Sequence, residues 1–216
     1  MKEIEVLYLE DKDLIVPTQG YENDFAYDIY ASEGRLVPHS TFKSVVIPTN
    51  LRVAFDPVKA GLKVALRSGT GCNTPLIIPN APGIVEGTYR DQIGIIVKNT
   101  FADNSLVDFV FTPDLKKVPF NTIPNAVKKE ARRFFEEESA LLGYNNVNEG
   151  NAAQVFKKVV PRGTIYVPKG ERIAQLYMSP KIAVTFKGTD ELPPSVRGKR
   201  GRGSSGTKFK SETNEQ

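Results

Sequence analysis

The stretch Gly83-Ile84-Val85-Glu86-Gly87-Thr88-Tyr89-Arg90-Asp91 decides how this chain is read. The Glu86 carboxylate stands between a short apolar run and a glycine turn, and a tyrosine follows three residues later. A second apolar run, Ile93-Gly94-Ile95-Ile96-Val97, comes next. Two strands joined by a tight turn hold an acid and an aromatic ring at fixed separation beside exposed backbone. Such an arrangement can bind a flat base and activate a water next to it. Taken alone, the stretch fits any hairpin, so its meaning depends on the rest of the chain.

Outward from this hairpin, short Val- and Ile-rich runs recur at close spacing, broken by Gly, Pro, Asn and Asp. They are Glu3–Leu9, Ser44–Pro48, Leu51–Phe55, Leu62–Leu66, Leu76–Pro79, Ile93–Lys98, Thr164–Val167, Ile173–Met178 and Ile182–Phe186. The pattern predicts an all-β antiparallel sandwich or barrel. No strand–helix alternation points to a doubly wound nucleotide fold. From Phe101 to Gly163 the chain is more polar and less regular, and we read 101–163 as an insertion between two strands. Within it, Asn125 to Gly143 predicts a helix, with Asn125 able to cap it and Gly143 able to end it. Val127, Ala131, Phe134, Phe135, Leu141 and Leu142 share one face of that helix, while Lys128, Lys129, Arg132 and Arg133 fall mostly elsewhere. The stripe suits packing onto the parent domain, or a partner-binding surface. A core domain over 1–192 is followed by an arm over 193–216, almost free of apolar residues, which is expected to be flexible until it meets a ligand.

Composition narrows the chemistry. The 216 residues can bury a sizeable core. A net charge of +4 lies mostly at the C-terminus, which suits a phosphate-bearing ligand better than a general nucleic-acid surface. With one cysteine, Cys72, and one histidine, His39, the chain holds no internal disulfide, no Ser-His-Asp or Cys-His catalysis and no multi-His zinc site. A metal would be held by oxygen, which points to magnesium. His39 lies in the turn-like Val37-Pro38-His39-Ser40 and reads as a solvated loop residue. No apolar run approaches membrane-spanning length, there is no signal-peptide pattern, and cysteine usage suits an intracellular, cytoplasmic chain.

Four further segments carry chemistry. Leu66-Arg67-Ser68-Gly69-Thr70-Gly71 follows an apolar strand. It offers close-approaching N–H groups, a hydroxyl and a cation to an anion, or is an ordinary glycine-rich turn. Gly170-Glu171-Arg172-Ile173-Ala174-Gln175-Leu176 sets an amide inside an apolar run. Alternation places Gln175 opposite Ala174 and Leu176, with Ile173 and Tyr177 as its neighbours. That amide serves a phosphate or metal-bound water, or is satisfied structurally. The arm segment Arg197 to Lys208 could wrap a polyphosphate, though it is no Walker A loop. Asp24-Phe25-Ala26-Tyr27-Asp28-Ile29-Tyr30-Ala31 places the Asp28 carboxylate in an apolar run, where it caps a turn or serves a site.

In this order and spacing the five segments resemble the five motifs of the trimeric dUTPases, which hydrolyse dUTP to dUMP and pyrophosphate. The resemblance covers nearly all of the chain except the insertion. It implies a dUTPase-like β-clip or jelly roll, and a homotrimer whose shared active sites are closed by the C-terminal arms. It implies Mg2+ as cofactor, with Asp28 organising it through water. Arg67, Ser68 and Gly69 match the phosphate-binding motif, and Asn80, Gly83, Tyr89 and Gly94 the hairpin that holds uracil and deoxyribose. The tyrosine ring there excludes a ribose 2′-hydroxyl. Gln175 matches the glutamine near the phosphates. Arg197 matches the arginine at the γ-phosphate, with Arg202, Gly203, Ser204 and Ser205 beside it. Glu86 takes the place of the water-activating base.

Three positions depart from the family pattern. Glu86 stands where aspartate is usual, and one added methylene moves a carboxylate by roughly 1 Å, a displacement that can cost on the order of 10²-fold in rate. Arg202 occupies the place of an aromatic residue that stacks on uracil; a guanidinium is planar and can stack too. Phe25-Ala26 replaces a small pair. Some phage dUTPases carry extra sequence between the third and fourth motifs, used in certain of them for protein–protein regulation, so the insertion suggests a phage origin. The second expectation is therefore a dUTP-binding regulatory protein with slow or absent turnover, acting on protein partners through 101–163. The related dCTP deaminases place a glutamate on the strand here formed by Ile93–Val97, which has no acid. A nucleic-acid-binding role ranks last.

Overall fold

Val, Ile and Leu at alternate positions can bury one face of an extended segment while the other meets polar partners. In the computed structural model, which describes residues 3–144 and 146–200, this alternation yields fifteen strands and two α-helices among the described residues. In chain order the strands are β1 (Val6–Tyr8), β2 (Tyr27–Tyr30), β3 (Arg35–Val37), β4 (Val45–Pro48), β5 (Val53–Phe55), β6 (Ala60–Leu66), β7 (Leu76–Ile77) and β8 (Gly83–Val85). They continue with β9 (Gly94–Asn99), β10 (Leu106–Val107), β11 (Phe109–Phe111), β12 (Lys117–Pro119), β13 (Val160–Pro161), β14 (Ile165–Val167) and β15 (Arg172–Pro180). Helix α1 is Ser68–Asn73 and α2 is Asn125–Leu141.

The sheets are almost wholly antiparallel, and the fold is the expected jelly roll. One sheet runs β2-β15-β6-β8, a second β4-β9-β7, a third β12-β11-β14-β3, and two short pairs join β1 to β5 and β10 to β13. Buried residues from the main strands, among them Ile29, Ile47, Leu62, Ile95, Val97 and Ile173, make one core. Each such side chain contributes about 1.5–3 kcal/mol by leaving water.

The insertion is more regular than its polarity suggests. It contributes four strands, β10 to β13, and a second core centred on the fully buried Phe120, with Val110, Ile123, Val127, Phe156 and Val160 around it. It joins the parent sheet because β11 runs parallel to β14, Phe111 opposite Ile165, and β14 pairs with β3. Helix α2 begins after Pro124, which occupies the cap position without a side-chain hydrogen bond, so Asn125 is its first residue rather than its cap. A proline there costs nothing, because the first-turn N–H groups have no intrahelical partner. Gly143 ends the helix as expected: at φ +80° its N–H reaches Ala140 O and the Tyr144 N–H reaches Ser139 O.

The apolar stripe of α2 is half right. Val127 and Ala131 are buried, yet Leu141 and Leu142 face solvent and Arg132 is buried instead. Arg132 lies inside because its guanidinium finds five acceptors: the carbonyls of Val147, Ala152 and Val155, the Asn148 side chain, and Glu136 at 2.7 Å. A charge so fully bonded tolerates burial.

One expected strand does not form. Ile182–Phe186 alternates as a strand should, but no strand among the described residues pairs with it, and Ile182, Val184 and Phe186 are exposed. Strand alternation describes two faces and says nothing of whether a partner edge is available. The residues after Lys181 separate by contacts from those before it. No described helix is long and apolar enough to cross a membrane.

Candidate active site

The hairpin around Glu86 becomes one wall of a cavity of about 550 Å³. Strand β8 pairs with β6, Gly83 opposite Val64, and the chain then turns back through 87–92 to β9. The turn closes with the Tyr89 N–H on the Glu86 carbonyl at 2.9 Å, and Arg90 braces it by donating to the carbonyls of Gly87 and Tyr89. Gly87 is required where it stands: a Cβ there would lie 2.6 Å from the Phe55 carbonyl oxygen. Asn80, Gly83, Glu86, Tyr89 and Gly94, which the sequence assigns to one pocket, all line this cavity, and Val64, Ile78 and Ile93 supply apolar wall. Its volume lies within the range of small-molecule sites. The Tyr89 hydroxyl donates to the Gln92 carbonyl at 3.2 Å, which restrains the ring. Glu86 is exposed, and among the described residues its carboxylate makes no hydrogen bond, so it is open to a bound water.

Asp28, Arg67 and Gln175 meet at a second place. Asp28 lies on β2 opposite Gln175 on β15, which in turn lies opposite Ala65 on β6. The Asp28 carboxylate is buried and accepts from Arg67 Nε at 2.8 Å, Arg172 at 3.2 Å and Gln175 Nε2 at 3.3 Å. Two guanidiniums against one carboxylate leave this cluster positive, which suits a polyanion. Ser68 and Gly69 do not form a loop. They open helix α1, in which the Gly71 N–H reaches the Arg67 carbonyl and Thr70 is buried with its carbonyl bonded twice by Thr74. The first-turn N–H groups of a helix have no intrahelical partners, so Ser68 and Gly69 still present donors beside Arg67.

Sequence reasoning singled out neither Arg172 nor Glu171. Strict alternation makes Ile173 a neighbour of Gln175. Instead the register shifts between Arg172 and Ala174, Ile173 turns into the core, and Arg172 reaches Asp28. Bulges of this kind re-aim side chains and leave no mark in the alternation itself. Glu171 is half-buried, and burial pushes its carboxyl above the usual carboxylate range. Asp114 adds to that shift, while Arg67, Arg172 and Lys116 oppose it.

His39 is buried rather than solvated. Its Nδ1 lies 2.7 Å from Ser40 Oγ, and its ring stands edge-on to Phe101. The loop reading failed because Asn99 on β9 bridges this segment and donates to the Val37 carbonyl, which pulls the turn inward. Burial holds the imidazole below its ordinary value, opposed by the Asp103 carboxylate and the Arg162 carbonyl.

The two clusters do not meet within one chain. β15 and β6 stand between β2 and β8. Three strand spacings put Asp28 about 14 Å from Gly83. Arg197 lies after Lys181, in a turn where its Nε donates to the Arg200 carbonyl. Arg202, Gly203, Ser204 and Ser205 lie outside the described residues.

Jelly roll, base-sized hairpin cavity and buried carboxylate–arginine cluster together define a protein of the dUTPase fold class. Residues 12–105 match the dUTPase family model. A deoxyuridine 5'-triphosphate nucleotidohydrolase of Picosynechococcus sp. is 33% identical over 86 residues, which are 39% of this chain and 58% of that protein. That match thus spans little more than half of the relative. One from Crocosphaera subtropica is 22% identical over 204 residues, 94% of this chain and 99% of its own length. Among solved structures, the Staphylococcus bacteriophage 80alpha dUTPase with dUPNHPP is 25% identical and superposes with a TM-score of 0.68, over 96% of this chain and 100% of the phage chain. A dUTPase from phage phi11 of S. aureus, 20% identical with a TM-score of 0.60 over 89% of this chain and 100% of its own, was solved with a structural Mg(II) ion.

Proposed function

We propose that this protein hydrolyses dUTP to dUMP and pyrophosphate, at sites shared between three copies of the chain. The observation that carries the reading is the single cavity lined by Asn80, Gly83, Glu86, Tyr89 and Gly94. Uracil and deoxyribose enter it, and the Tyr89 ring excludes a 2′-hydroxyl. Glu86 orients a water toward the α-phosphorus and takes its proton as that water attacks in line. Arg67, with the Ser68 and Gly69 N–H groups, neutralises charge on the phosphates. Arg197, Arg202, Gly203, Ser204 and Ser205 close over the γ-phosphate.

The separation of Asp28 from the hairpin favours shared sites. Since one chain keeps the two clusters apart, the Arg67 cluster of one copy faces the Glu86 cavity of another. The residues fit a magnesium ion that arrives with its phosphates. Such ions take one or two carboxylates and complete their shell with phosphate oxygens and water. Asp28, its carboxylate already covered by two guanidiniums, fits a contact through water, and Gln175 keeps its amide oxygen for the same purpose. When bound, magnesium supplies charge neutralisation on the departing pyrophosphate. Limiting dUTP in this way keeps uracil out of DNA and supplies dUMP for dTTP synthesis, in a host cytoplasm if the chain is phage-encoded.

A second reading, regulation of a protein partner through 101–163, is favoured by one observation. Leu141, Leu142 and Tyr144 are exposed on the insertion, and the two leucines belong to the stripe that suits either packing onto the parent domain or a partner-binding surface. Pyrophosphate release from dUTP with magnesium separates the readings. Turnover that falls on the order of 10²–10⁴-fold in Glu86→Gln, with dUTP binding kept, supports the hydrolase. Tight dUTP binding without release by the unaltered chain refutes it. Comparison with Glu86→Asp reports whether the hairpin is shaped for the longer acid.

A further inference from the structure

Beneath the C-terminal half of α2 lies a second cavity, of about 260 Å³, enclosed by the 38–41 segment, the 103–106 segment and the helix. Its walls are aromatic, with Phe134, Phe135, Tyr144 and Phe156 lining it. Two polar groups in it stand out. Glu138 is nine-tenths buried and forms no ion pair among the described residues; the Lys43 backbone N–H satisfies only Oε1, at 2.6 Å. It also lies in the last turn of α2, where the helix carbonyls add negative potential and an acid is unfavourable. The second group is His39, also nine-tenths buried, whose Nε2 has no hydrogen-bond partner.

Both features are costly unless something answers them. A buried carboxylate calls for a cation, and a buried imidazole nitrogen calls for a donor. Lys98 Nζ donates to the Phe42 carbonyl, Arg162 lies on Ser105 and Asp103, and the exposed Lys43 gives Glu138 its backbone N–H but no ion pair among the described residues. In the tautomer whose Nδ1–H donates to Ser40 Oγ, the His39 ring presents Nε2 as an acceptor, and burial disfavours the charged ring. An ammonium brings one charge and three donors, and aromatic walls attract a cation through their ring faces.

We propose that this cavity is a second ligand site, separate from the dUTP site, which takes a small aromatic primary amine through Glu138, His39 and the surrounding rings. The test is titration of the full-length protein with benzylamine and its neutral isostere benzyl alcohol, followed by amide NMR. Benzylamine is expected to perturb residues 38–41 and 134–144 and to bind at least about tenfold tighter than the alcohol, the factor for one charge-assisted contact. In Glu138→Gln, which keeps the side-chain shape and the Lys43 bond, the amine should weaken to the level of the alcohol. Absence of perturbation at millimolar benzylamine overturns the proposal, and so does equal binding of amine and alcohol. Undiminished amine binding by folded Glu138→Gln overturns it too. If that variant does not fold, the amine–alcohol comparison on the unaltered protein decides.

Discussion

Replacing Asp28 by asparagine tests whether the charge cluster is built as the structure describes. The carboxylate is buried and receives three bonds, two from guanidiniums at 2.8 and 3.2 Å and one from the Gln175 amide at 3.3 Å. Hydrogen bonds to charged groups contribute about 1.5–3 kcal/mol each. The side chains of Arg67 and Arg172 are 30% and 47% exposed, so water recovers part of their loss. The asparagine carbonyl also keeps one acceptor. The net cost is about 3 kcal/mol, and at roughly 2–4 °C per kcal/mol for a domain of this size the thermal midpoint falls by about 6–12 °C. Urea unfolding followed by circular dichroism measures the loss, and a double-mutant cycle with Arg67→Met isolates the pair. A coupling of about 1 kcal/mol or more is expected between residues in direct contact. A loss below about 1 kcal/mol, or strict additivity with Arg67→Met, refutes the claim that Asp28 holds Arg67 in place.

Other outcomes follow from particular contacts. Gly87→Ala drives a Cβ into the Phe55 carbonyl; it should cost about 1–3 kcal/mol and lower kcat/KM by displacing the Glu86 turn, read by urea midpoint and pyrophosphate release. Arg132→Leu strands one buried and two part-buried carbonyls and should cost about 3 kcal/mol while exposing residues 146–156 to limited proteolysis. The depressed imidazole of His39 makes the folded state the weaker proton binder, so stability should be flat above about pH 6.5 and fall as pH drops below it. His39→Gln should remove that part of the slope in urea midpoints taken between pH 7.5 and 5. Mixing separately inactive Arg67→Met and Glu86→Gln chains under exchange conditions should restore pyrophosphate release, because mixed assemblies contain sites with both residues intact.

Residues close in sequence and governed by alternation were legible. The hairpin pocket is the clearest case, since Asn80 through Gly94 is one local unit whose turn chemistry fixes its shape. Asp28, Arg67 and Gln175 were legible as a set through the order of their segments, but their direct contact depends on cross-strand register, which no single strand encodes. Arg172 was hidden by a bulge. His39 and Arg132 were misplaced for a common reason: polar residues are assigned to solvent by default, and tertiary contacts, the Asn99 bridge at His39 and four acceptors outside the helix at Arg132, reverse that. Ile182–Phe186 failed in the opposite sense, because its alternation was genuine and no strand among the described residues pairs with it.

The position of the insertion also bears on function. It leaves the parent fold after β9 and returns through β14, whose neighbour on one side is β11 of the insertion and on the other β3. Only the short turn after Val167 separates β14 from Glu171 and Arg172, and that turn is fixed by the Gly170 N–H on the Ala31 carbonyl and the Ala31 N–H on the Glu171 carbonyl. Asp114 and Lys116, at the tip of the β11–β12 hairpin, act electrostatically on Glu171, next in the chain to an arginine that holds Asp28. A displacement of the insertion therefore has two routes to Arg172 and its partner Asp28, one through the backbone of β14 and one through charge at Glu171. The prediction is specific: Asp114→Asn should change KM for dUTP while leaving the unfolding free energy within about 0.5 kcal/mol of the parent, as expected for an exposed surface substitution. An unchanged KM would mean that the insertion is anchored beside the site without influencing it.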